Sequence, residues 1–164
     1  ASFVFPTECS FVSPSPIESK YSEQSAVAAR RLVENGARFV RLTLGGWDTH
    51  TDSARISAAQ AAILDDVLAY LLDDLSSRGM LADTLIALST EFGRSARMNG
   101  FGGREHHPSA YSCLIAGGGT EGGRVIGATT DDGMQVIGKT TSPEEFNTIV
   151  ANHLGVRQPT NPPA

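Results

Sequence analysis

Ile56, Ile63 or Leu64, Val67 or Leu68, Leu71 and Leu75 recur at helical spacing, so one long amphipathic helix sits near the middle of the chain. Strand-like runs flank it on either side. Ala37 to Leu44 reads ARFVRLTL and is stopped by Gly45-Gly46, and Asp83 to Ser89 reads DTLIALS. Ahead of both, Ser22 to Glu34 carries Ala26, Val27, Ala29, Leu32 and Val33 at helical spacing, with Asn35-Gly36 to close the helix. Helix, strand, long helix and strand in succession predict parallel strands joined by a right-handed crossover, with helices over the sheet. The predicted fold class is therefore α/β, a mostly parallel sheet flanked by helices.

Further signals fill in the C-terminal half. Tyr111 to Ala116 (YSCLIA) reads as a third strand, ended by Gly117-Gly118-Gly119. Arg124 to Ile126 and Met134 to Ile137 suggest a hairpin around Asp131-Asp132-Gly133. Ser142-Pro143-Glu144-Glu145 has the pattern of an N-cap, a first-turn proline and first-turn acids, so a last helix should run to about Leu154. Residues 1–20 hold three prolines and five serines without periodicity, which predicts an extended or disordered segment. A single α/β domain over 21–157 and a loose tail over 158–164 complete the expected organisation.

Composition limits the partners. With 164 residues, 40% hydrophobic and 19% charged, the chain can build one core. A formal charge of -5 and a pI near 5.3 leave no electrostatic footprint for nucleic acid or an anionic membrane. Arg30-Arg31 shares its helix with Glu23 and Glu34 and reads as a solvated face, as do Asp65, Asp66, Asp73 and Asp74 on the long helix. No run approaches the ~18 apolar residues of a spanning helix. Cys9 and Cys113 can pair if the compartment oxidises, or Cys113 can stay a lone buried thiol.

The chemistry concentrates in three loops that follow or adjoin these runs. Asp48 and His50 lie two residues apart after Gly45-Gly46, so both side chains can point into one cleft if the backbone there is extended. A carboxylate with an imidazole suits Zn²⁺, Mn²⁺ or Fe, whereas mostly oxygen ligands would suit Ca²⁺ or Mg²⁺. The plainer alternative is an Asp48 that caps the next helix beside a merely exposed His50. Glu91 follows a strand and precedes Phe92-Gly93-Arg94, and Arg94 either grips a phosphate or sulfate or pairs internally with Glu91. His106 and His107 are adjacent, so only one of them can easily share a metal with Asp48 and His50. If the strands at 38–44 and 83–89 are parallel, Asp48, His50 and Glu91 meet at one sheet edge. Trp47 either walls that cleft or plugs the core, and Gly117-Gly118-Gly119 lacks the residues of a phosphate loop.

The ordered motifs GWDTH, EFGR, GREHHP, AGGG and VIGATTD, spread over about Phe39 to Gly138, resemble the C-terminal part of a large, mostly uncharacterised bacterial sulfatase-like family of the alkaline phosphatase and sulfatase superfamily. That resemblance implies a truncated alkaline phosphatase-like fold and a metal-dependent hydrolase of phosphate or sulfate esters. It implies metal ligands at Asp48, His50, Glu91 and His106, with the first two and His106 on one ion and Glu91 holding or bridging a second. Glu91, Arg94 and Arg104 would serve catalysis, the arginines by positioning the anionic ester, a small molecule. No organic cofactor is implied, and zinc fits the ligand set best, with calcium, magnesium or manganese as alternatives. Thr49 and Ser89 are the nearest hydroxyls, and a water nucleophile is the simpler expectation.

The pattern departs from the family at Glu105, where an Asp is usual, and at Ser95-Ala96. Nothing in residues 1–36 resembles the superfamily strand that carries the nucleophile and first metal-binding Asp, which implies a fragment, a homodimer, or a partner chain covering the missing half. The resemblance also implies a periplasmic or extracellular setting. The competing expectation is a non-catalytic α/β module that binds a metal or another protein.

Overall fold

The computed structural model describes residues 9–12 and 19–156. The expected tail over 158–164 and most of the expected N-terminal segment lie outside the described residues. Strand β1 (Cys9–Val12) pairs in parallel with β2 (Val40–Thr43), and helix α1 (Ser19–Glu34) connects them. The long helix is α2 (Ser53–Ser77), followed by β3 (Leu85–Leu88), β4 (Gly93–Met98) and β5 (Arg104–His107). Strands β6 (Leu114–Gly117), β7 (Ala128–Thr129) and β8 (Val136–Ile137) precede the last helix, α3 (Pro143–His153).

The mostly parallel sheet flanked by helices is not formed, and the truncated alkaline phosphatase-like fold falls with it. Among the described residues the strands make four two-stranded sheets, β1-β2, β3-β6, β4-β5 and β7-β8. Strands β2 and β3, expected to pair across α2, belong to different sheets. Leu85 to Leu88 runs antiparallel to Leu114 to Gly117 instead. Periodicity identifies a strand but not its partner, and a four-residue strand carries few ladder bonds with which to recruit a third. A parallel crossover does occur, through α1 rather than α2.

The described residues group into two compact units, one from those up to Met80 with Arg97–Glu105, the other from Leu81–Ala96 with those from His106 onward. In the first, α1 packs on α2, and Ala26, Ala29, Leu71 and Leu75 are its buried apolar residues. The expected α2 stripe faces inward, whereas Asp65, Asp66 and Asp73 are exposed as expected.

Two residues assigned to solvated faces are not solvated. Arg30 is only 7% exposed, its Nε donates to Asp74 Oδ2 at 2.7 Å, and Glu34 accepts from its Nη1. Arg78 Nε donates to the other Asp74 oxygen at 2.8 Å, and Tyr70 adds a longer bond at 3.4 Å. The hydrogen bond from Arg78, then that from Arg30, holds the Asp74 carboxyl below its usual range against desolvation. Desolvation disfavours the Arg30 charge, but bonds to Asp74, Tyr70 and Glu34 outweigh it and raise its pKa.

A carboxyl whose pKa is depressed in the folded state adds stability above its unfolded pKa, and this is lost as pH falls through the folded value. We therefore expect Asp74→Asn to lower the urea midpoint at pH 7, with the gap to the parent chain narrowing once the pH drops below the ordinary carboxylate range. A gap that stays constant down to pH 3 would show that the carboxylate charge is not what matters.

In the second unit, β3 pairs with β6 and α3 packs near β3. The expected hairpin closes around Thr130 to Gln135, but its first strand is Ala128–Thr129 rather than Arg124 to Ile126. Helix α3 starts as expected: Ser142 Oγ accepts from Glu145 N at 3.1 Å and Glu145 Oε2 accepts from Ser142 N at 2.7 Å. All three helices end on the same motif, with Gly36, Gly79 or Gly155 in the left-handed region just beyond the last turn. Cys113 is a free thiol, and the side chain of Cys9 lies outside the described residues. Among the described residues no helix is long and apolar enough to cross a membrane.

Candidate metal centre

The hairpin β4-β5, which apolar periodicity could not reveal because GRSARM and REHH are polar, builds the site. Its turn is organised by Asn99, whose side-chain amide uses all four of its hydrogen-bonding positions. Asn99 Oδ1 accepts from Phe101 N and from Gly103 N, each at 2.9 Å. Its Nδ2 donates to His50 O at 3.0 Å and to Glu105 Oε1 at 2.8 Å. The same turn caps α2, because Ser53 N donates to Gly102 O at 2.9 Å and Asp52 N to Phe101 O at 3.2 Å.

This explains how the 46–52 loop is held. Thr49 is buried, and its carbonyl accepts from Ser53 Oγ at 2.8 Å and from Arg104 N at 3.4 Å. Asp52, at the N-cap of α2, adopts a left-handed φ of 46° and makes no side-chain cap; its carboxylate takes the Arg55 guanidinium instead, at 2.6 Å. Asp48 is therefore not the helix cap, and it stands exposed beside His50, with Oδ1 3.4 Å from Nδ1. The opposite ring nitrogen, Nε2, lies 3.8 Å from Glu105 Oε2.

His106 is the residue after Glu105 on β5. Asp48, His50 and His106 each offer one ligand atom, and these atoms all lie within 4.8 Å of one another. Three ligands around an ion at ~2.0–2.2 Å from each are separated by at most about 4.4 Å, so this spacing needs little adjustment to close on a cation. All three residues are exposed, leaving positions for water or a ligand.

The remaining expected site residues are distributed unevenly. Glu91 is exposed and does not belong to the converging group. Arg94 lies on β4 with its guanidinium carbon 5.6 Å from the Phe92 ring centroid, and Phe92 stacks on the His106 ring at 4.2 Å and 38°. Arg104 lies two residues before His106 on β5, so the two share a strand face. His107 is half-buried, with Nε2 unpartnered, and does not join the group. Trp47 is 37% exposed and plugs no core. Desolvation raises the pKa of the Cys113 thiol against the opposing backbone of Thr90, which disfavours the thiolate a nucleophile would need.

In the sequence, Asn99, Phe92 and Gly103 carry no site signal, and Glu105 is marked only as a departure from the family pattern. The Asn99-Gly100 dipeptide and the Gly102-Gly103 pair were the available signals, since together they mark a tight hairpin.

Among the described residues, short strand pairs and three helices, with an exposed carboxylate and two imidazoles within ligation reach on the 46–52 loop and on β5, define a small α+β chain with a candidate divalent-cation site. The chain belongs to the family described as protein of unknown function (DUF1501), whose model matches residues 12–160. No curated protein and no solved structure matches it.

Proposed function

We propose that this chain is a metal-dependent hydrolase of phosphate or sulfate esters, with zinc held by Asp48, His50 and His106. The observation that carries the reading is the convergence of these three ligand atoms within 4.8 Å. One carboxylate and two imidazoles form a donor set suited to zinc, and three protein ligands leave a coordination position open. Such an ion would lower the pKa of a bound water and offset charge developing on the ester oxygens.

The chain's own contributions follow from position. Arg104, on the same strand face as His106, would hold the ester anion bidentately, and Arg94, whose guanidinium carbon lies 5.6 Å from the Phe92 ring centroid, would add a second cation. Phe92 fixes the plane of His106 by stacking. Glu91, outside the ligand group, is left without a metal role in this reading. A small anionic ester as substrate and an exported setting rest on the motif resemblance alone.

Elemental analysis and turnover of p-nitrophenyl phosphate and p-nitrophenyl sulfate test the proposal together. Near-stoichiometric zinc, with hydrolysis that dipicolinate abolishes and added zinc restores, is the expected outcome. A chain without metal, or turnover indifferent to the chelator, refutes it. The exposure of all three ligands favours one alternative, a non-catalytic metal-holding module, for which zinc would bind without measurable turnover of either ester.

A further inference from the structure

We propose that Glu105, oriented by Asn99, is the positioning residue of His50, directing the Nδ1 atom of His50 toward the cation beside Asp48. The inference rests on the metal reading above and names a residue that the ligand set does not contain.

The two nitrogens of an imidazole are chemically distinct, and a hydrogen bond at one decides what the other can do. In His50 they face different carboxylates. Nδ1 is on the Asp48 side at 3.4 Å, a separation normal for two atoms ligating one ion, and Nε2 is on the Glu105 side at 3.8 Å. A metal-bound histidine usually donates its other ring N–H to a carboxylate, which fixes ring orientation and tautomer and raises the ligand's basicity. Glu105 meets that description. At 3.8 Å the contact is electrostatic, and closing it to a hydrogen bond of ~2.9 Å requires a shift of about an ångström.

Glu105 is also held for this task. Asn99 Nδ2 donates to Glu105 Oε1 at 2.8 Å, which leaves Oε2 as the oxygen facing His50. The second Nδ2 hydrogen binds the His50 carbonyl at 3.0 Å, so one amide fixes the histidine's backbone and its carboxylate partner together. Because Asn99 Oδ1 is occupied by two backbone N–H groups, the amide cannot flip without losing four bonds.

Zinc titration calorimetry on the full chain and on Glu105→Ala and Glu105→Gln, with long-range proton–nitrogen NMR of the zinc-loaded parent, tests the assignment. Glu105→Ala should weaken zinc binding by roughly 10–100-fold. Glu105→Gln should recover most of that loss, since its amide oxygen still accepts from Nε2–H, and the NMR should place zinc on His50 Nδ1 with the proton on Nε2. Zinc on Nε2 in the parent chain overturns the proposal even if the alanine variant folds poorly. So does Glu105→Ala binding as tightly as the parent, or Glu105→Gln binding as weakly as Glu105→Ala, the last marking Glu105 as a direct ligand. A parent chain that binds no zinc removes the metal reading and this inference together, whereas a parent that binds beside an unaffected Glu105→Ala removes this inference alone.

Discussion

Gly103→Ala should lower zinc affinity by roughly 10–100-fold, although position 103 carries no ligand. Gly103 is buried on the hairpin turn against the carbonyl of His50. A Cβ there would stand 1.8 Å from His50 O, 1.9 Å from its carbonyl carbon and 2.6 Å from Thr51 N. These are backbone atoms with no rotamer to escape into, so the 49–51 loop and the turn must separate by more than an ångström. Metal ligation tolerates only about ±0.2 Å in ligand distance, and the same displacement pulls His50 from the Asn99 amide that holds its carbonyl. Gly100→Ala is the control, because nothing lies within 4 Å of a Cβ added there. The comparison is read by zinc titration, with circular dichroism to verify that the helices persist. Zinc binding by Gly103→Ala within a few-fold of Gly100→Ala would mean that the loop does not hold the site.

Leu75→Ala should destabilise the chain by about 2–5 kcal/mol, the range for emptying a well-packed leucine site. Leu75 lies near the end of α2 and is 2% exposed, the least exposed apolar side chain apart from Ala26 among the described core residues. That core is small, built from Ala26 and Ala29 on α1 with Leu71 and Leu75 on α2, so little surrounding apolar mass can collapse into the void. Leu75→Met nearly conserves volume and should cost less than ~1.5 kcal/mol. Urea unfolding of the two variants measures both. Equal, small losses would place the core elsewhere in the molecule.

The candidate site was half legible. Asp48 and His50 stand out because they lie two residues apart in a loop that follows Gly45-Gly46, and His106 because it belongs to a His-His pair within the motif resemblance, although it lies on strand β5. The motif resemblance places Glu91 with these ligands, yet among the described residues it stays outside the converging group. Its meeting with Asp48 and His50 requires the strands at 38–44 and 83–89 to lie parallel at one sheet edge, and β2 and β3 do not pair. The site instead follows from a hairpin whose strands are too polar to register as strands, so the part Asn99 plays in it has no local signal, and Glu105 stands out in the sequence only as a departure from the family pattern.

For the fold, local signals sufficed where the energetics are local. Helix α3 was legible to within a residue at its start, because Ser142, Pro143 and Glu145 make a cap from neighbours three residues apart. Helix α1 was legible from spacing and from Asn35-Gly36 beyond its end, and α2 from spacing. Partner choice was another matter. Leu85 to Leu88 is equally apolar whether it lies against Val40 to Thr43 or Leu114 to Gly117, and the choice depends on which strand the intervening chain delivers and in what direction.

Taken alone, the order of residues determined which segments are helices, which apolar runs are extended, and which side chains can ligate a metal, since each depends on neighbours within a few positions. Only tertiary structure decided strand pairing, the burial of Arg30 and Asp74 between two helices, and the company His50 keeps with Asp48, Glu105 and Asn99. Those depend on contacts between residues dozens of positions apart, whose closure is determined by packing and chain path rather than by any local pattern.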